Sequence, residues 1–123
     1  MKWYLAHVIM YLRLVVGPQD GVPVWENLVL IQAGSEAEAA SLAKQQALKN
    51  PDEFKGPDCG TYFDAQPAEW VFAGVRKVNE CWVEPGASPV SGDELSWIEY
   101  HVDSVDALDA LVRGDSTDVE LAG

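Results

Sequence analysis

The chain has 123 residues, 48% of them hydrophobic, with five Trp, four Tyr and three Phe, which is the size and composition of one globular domain and not of a disordered segment. Its formal net charge is −12 and is concentrated late: residues 93–123 hold 9 acids and 1 base, against 11 acids and 7 bases before them. A chain this acidic, without a basic run, repels nucleic acid, and Cys59 and Cys81 are too few for a disulfide framework.

Residues 1–16 are apolar enough to raise the question of a signal peptide. His7 and Arg13 interrupt the run, no small-residue cleavage site follows, and the run is too short to span a bilayer. A cytoplasmic location with two free thiols and no membrane contact is the expectation. From Tyr4 the even positions to Val16 are apolar without a break, while the odd positions mix Trp3, Leu5, Ile9, Tyr11 and Val15 with His7 and Arg13. Period two with one fully apolar side predicts a long strand of an antiparallel sheet. The GPQDG cluster at 17–21 is turn chemistry and predicts a hairpin into the next strand.

That next strand, VWENLVLIQA at 24–33, is β-branched, aromatic or aliphatic enough to be buried on both faces. It turns at Gly34 into an alanine-rich helix over 35–49. Ser35 stands three residues before Glu38, the spacing of a capping box, and Asn50-Pro51 stops the helix. Its apolar face is Ala39, Ala40, Ala43 and Ala47, small enough to lie close against a sheet.

A weakly patterned stretch follows at 51–67, with Tyr62 and Phe63 as a short strand within it. Residues 69–83 are strand again, with Gly74 at a bulge or a close backbone approach. Residues 85–92 read as a loop, 94–102 as a last strand that should pair with the one before it as a hairpin, and 104–113 as a second helix with Gly114 at its end. The order is β-β-α-β-β-α. It predicts an α+β fold, a single domain over 1–114 in which an antiparallel sheet of about four strands carries the alanine helix on one face, with a short C-terminal helix and a frayed acidic tail at 115–123.

Three segments together resemble the small bacterial family catalogued as domain of unknown function 4288. They are the Trp3-Tyr4-x-Ala6 start, the stretch VWENLVLIQAGSEAEAASLA, and the later EWVFAGV with its Gly92-Asp93-Glu94 turn. Asn27 stands where members often carry an acid. The resemblance covers roughly residues 3 to 100 and implies a fold without implying an activity.

Residue chemistry points away from catalysis. His7 and His101 sit in no ligand-spaced motif, so no metal and no cofactor is expected, and there is no phosphate loop or nucleophile elbow. Cys59 lies in the 51–67 stretch with only Lys55 near it in sequence. Glu26, Glu69, Glu80 and Glu99 fall on strands, where such acids are usually solvated. Three or four of the five tryptophans should be core, with the remainder on a sheet face that one short helix cannot cover.

The leading expectation is a non-catalytic interaction module that forms a homodimer through the odd face of the first strand, with Trp3, His7, Tyr11 and Arg13 at the interface. A small-ligand or enzymatic site between the sheet and 51–67, built from His7, Tyr11, Arg13 and Cys59, is the alternative. An acidic immunity-type protein masking a basic toxin is the third reading.

Overall fold

The alternation in the first segment and the apolar run of the second place two long strands side by side at the centre of the sheet. The computed structural model describes residues 1–19, 21–50, 54, 62–63, 66–81, 94–114 and 120–121. In chain order the elements are β1 (Lys2–Leu14), β2 (Val22–Ala33), α1 (Glu36–Lys49), β3 (Tyr62–Phe63), β4 (Gln66–Cys81), β5 (Glu94–Val102), α2 (Val105–Arg113) and β6 (Glu120–Leu121). Every described pairing is antiparallel and the strand order is β3-β4-β1-β2-β5-β6. Four long strands with two helices make this the α+β fold that the element order predicts.

Four details depart from the sequence reading. β5 forms no hairpin with β4: β4 takes the outer side of β1 and β5 pairs with β2 across the sheet. β1 stops at Leu14, and Val15 and Val16 are exposed beyond it. Within the expected tail, Glu120 and Leu121 pair with His101 and Tyr100. None of the three tryptophans whose side chains are described, Trp3, Trp25 and Trp70, is fully buried. The 85–92 loop, Trp82 and the side chain of Trp97 lie outside the described residues.

Each helix is capped as its sequence requires. The Ser35 hydroxyl accepts from the Glu38 N–H at 3.1 Å, and Ser104 accepts from the Ala107 N–H at 3.1 Å. Gly114 ends α2 in the left-handed conformation, φ 86°, where a side chain would be strained.

The helices lie on opposite faces. Ala39, Ala43 and Ala47 of α1 are buried among Tyr4, Ala6, Val8, Met10, Val29 and Ile31, so the even face of β1 meets the odd face of β2 under α1. α2 lies on the other face, where Leu108 is enclosed by Ile9, Val22, Val24, Tyr100 and Val102. β4 carries two bulges against β1, one between the partners of His7 and Val8 and one between those of Ile9 and Met10. The extra residues are Arg76 and Ala73. Between them Gly74 comes to face α2, and a Cβ there would stand 2.5 Å from the Val112 Cγ1.

Candidate functional site

The apolar character of β2 makes its one charged residue the point to follow. Glu26 is 2% exposed, in a strand whose neighbours on both sides are paired. A carboxylate there must be hydrogen-bonded or neutralised, because burying an unpaired charge costs many kcal/mol, on the order of tens in the idealised limit.

Register delivers the partners. The His7 Nδ1 on β1 lies 2.6 Å from the Glu26 Oε2. Arg76 on β4 donates from Nε to Oε1 at 3.2 Å and from Nη2 to Oε2 at 2.8 Å. The Tyr100 hydroxyl on β5 donates to Oε1 at 2.8 Å. Four donors from three strands fill the roughly four acceptor positions of one carboxylate. Arg76 reaches across β1 because it is a bulge residue, re-aimed out of the regular alternation.

Proton positions follow from these contacts. Burial pushes the Glu26 carboxyl up, but the hydrogen bonds from Arg76, His7 and Tyr100 together outweigh it and hold the group below its ordinary value. Burial dominates at His7 and holds the imidazole below its ordinary value, against the pull of Glu26. His7 is therefore neutral at pH 7, with its one proton on Nδ1 facing the carboxylate and Nε2 left as a lone pair. Burial, then the Glu26 charge, pushes the Tyr100 phenol far up, so it remains a donor.

The network lies between the part of the face that α2 covers and the part it leaves open. Beyond it, Trp3, Leu5 and Leu28 are half-buried and Leu30 is enclosed; beside it, directly opposite Glu26, Ile98 is 39% exposed.

The expected site residues do not converge on one point, although Tyr11 and Arg13 interact with each other. His7 enters the Glu26 network. Arg13, six residues along the same face and therefore roughly 20 Å away, is exposed and pairs with Glu69. Tyr11 is half-buried against the α2 cluster, and Trp3 stands at the other end of β1, opposite Cys81. Cys59 lies outside the described residues. The face of β1 expected to be bare is occupied at its centre, since Ile9 is fully buried and His7 nearly so; the amphipathic α2 folds back over it. His101 is on the opposite face from His7, as its pairing with Pro23 requires. Glu69 and Glu80 are solvated and ion-paired, to Arg13 and Lys2, but Glu26 is not solvated. The signal was present in the sequence: an acid inside a strand read as buried on both faces demands a partner.

Among the described residues no group of three His, Cys, Asp or Glu is placed to hold a metal ion, and no helix is long and apolar enough to cross a membrane. Trp25-Glu26, two of the residues that carry the family resemblance, hold the centre of the sheet, and the family model matches residues 3–95.

The chain belongs to the DUF4288 family, a domain of unknown function. The match takes in His7, Glu26 and Arg76, whereas Tyr100 and α2 lie beyond it. No curated protein and no solved structure matches the chain. In this DUF4288 chain one face of the sheet is dry under α1 and the other is organised around a ligated carboxylate.

Proposed function

We propose that this DUF4288 domain is a non-catalytic interaction module that self-associates through the half of the sheet face that α2 leaves open. One observation carries the reading. On a single face, Leu108 of α2 closes over Ile9, Val22, Val24, Tyr100 and Val102, while Trp3, Leu5, Leu28 and Ile98 remain partly or largely accessible. Covering that half with a second copy removes apolar area at about 25 cal/mol per Å².

Two further features support it. The carboxylate at the centre of the face has its acceptor positions filled, which suits a brace and leaves none for a proton in transit. The edge of β4 is a poor alternative. Among the described residues β3 borders only Gln66 and Pro67, and the rest of β4 carries two bulges, Lys77 and ion-paired Glu69 and Glu80, the features that deter strand addition.

Sedimentation equilibrium over a range of concentrations tests the proposal. The wild-type chain should dimerise. Leu5→Glu and the milder Ile98→Ser should shift it to monomer while far-UV circular dichroism stays native. Charge reversal at Asp106 and Asp109, on exposed positions of α2, should leave assembly unchanged. A wild-type monomer at high concentration removes the proposal.

A further inference from the structure

The centre of the α2 face carries a local excess of positive charge in a chain of net −12. Glu26 offsets Arg76. Lys77 is paired directly opposite His7 on β4, which puts both on one face. It is exposed on β4, a strand near the margin of the sheet, where it also borders the groove that Glu36 lines on the α1 side, and it forms no ion pair among the described residues. Its charge is close enough to act on the His7 imidazole, as is that of Arg76.

The guanidinium supplies direction. Arg76 faces Glu26 with its Nε–Nη2 edge and so commits two of its five N–H groups. The Nη1–Nη2 end is a second fork of the kind that takes two oxygens of a carboxylate or phosphate. Arg76 is also where the network meets water: its side chain is 24% exposed, against 2% for Glu26.

We propose that the outer end of Arg76 and the Lys77 ammonium form a binding site for a small oxyanion, a carboxylate or phosphate group, with His7 behind them as its proton-linked sensor. Glu26 is the positioning residue, holding the guanidinium plane and the imidazole tautomer in place. Among the described residues, the charged and titratable groups around His7 are Glu26 from β2, Arg76 and Lys77 from β4, and Tyr100 from β5 through the shared carboxylate. Without an anion, burial first and then the two cations hold His7 below its ordinary value, against the pull of Glu26. A bound oxyanion offsets the cations and favours the imidazolium, so binding takes up a proton and tightens as the pH falls. The site does not depend on self-association.

The test is NMR of the two histidine rings in the full chain, titrated with sodium phosphate and separately with sodium acetate at pH 6 to 8. Sodium chloride at matched ionic strength is the reference. The His7 resonances should shift saturably and its pKa should rise by roughly one unit with one or both oxyanions. His101, on the opposite face, serves as the internal control and should not respond. Which anion acts identifies the group recognised. Lys77→Gln, an exposed change that leaves the Glu26 network intact, should weaken binding about tenfold, the effect of removing one charge-assisted contact. A His7 response equal in chloride, or a Lys77→Gln protein that titrates like wild type, overturns the site.

Discussion

Under α1, alanines at every fourth residue lie against Tyr4, Ala6, Val8 and Met10, and contact area and shape hold the layers together. Across the same strands, barely the thickness of the sheet away, Glu26 is held by His7, Arg76 and Tyr100, beside a smaller apolar cluster around Leu108. The first face tolerates any arrangement that preserves volume and close approach. The second requires four particular side chains to arrive together, and it penalises the loss of any one by leaving the others buried and unsatisfied. Cohesion and specificity are divided between the two faces.

The largest expected effect comes from cutting the polar side. Glu26→Ala should cost about 3–5 kcal/mol in urea unfolding, because Arg76 and His7 lose the charge that justifies their burial. A cost below 1 kcal/mol would show that the network contributes little and that both faces are held by packing. Overfilling the dry side is the counterpart: Ala43→Leu should cost about 1–3 kcal/mol, since Ala43 is 1% exposed and the added carbons must force helix from sheet. Gly74→Ala asks the same of α2. Its Cβ would meet Val112, a stiff β-branched side chain, and a loss of about 1–3 kcal/mol with a loosened α2 is expected in hydrogen exchange. Equal protection of α2 amides in both proteins would mean that the helix does not rest on that bulge. Cap removal compares the helices directly, with Ser35→Ala and Ser104→Ala each lowering stability by about 1 kcal/mol in matched thermal melts.

The smallest effect separates the faces by pH. His7 is held below its ordinary 6.5 and Glu26 below its ordinary 4.5. Each bears fewer protons folded than unfolded, so the stability it contributes is complete above the ordinary value and is lost as the pH falls through the folded one. Stability should start to decline just below pH 6.5 through His7 and fall further below 4.5 through Glu26. In His7→Gln the upper part of that decline should flatten while the lower part persists. An unchanged profile would place the acid sensitivity outside the network.

The dry face was legible in the sequence because its signals are local. Period two in β1, the Ser35 cap and the alanine spacing of α1 each lie within one segment, and β5 runs over the expected residues. The polar face was not, because its contacts span separations of 19, 50 and 74 residues and only register joins them. Histidine at 7 and arginine at 76 look like ordinary members of a mixed strand until the bulge at Arg76 turns that side chain toward Glu26. The open part of the β1 face is narrower than its odd positions suggest for a related reason: the spacing of α2 announces a helix but does not say which face it covers.

The paired bulges of β4 have a consequence that resembles a reading frame. In an alternating strand, removing one residue exchanges inside and outside for everything beyond the cut. Ala73 and Arg76 are the two places where that rule is suspended, because each is the extra residue of a bulge: Phe72 and Gly74, like Val75 and Lys77, already face opposite sides across it. Deleting Ala73 alone should therefore leave Trp70 and Phe72 under α1 and close the ladder to regular pairing. Deleting Arg76 alone keeps the register in the same way and removes the guanidinium. This strand should thus tolerate a one-residue deletion at either bulge better than one at Val71 or Val78, and the survivor of the deletion at Arg76 would be a correctly layered sheet whose central acid has lost its cation.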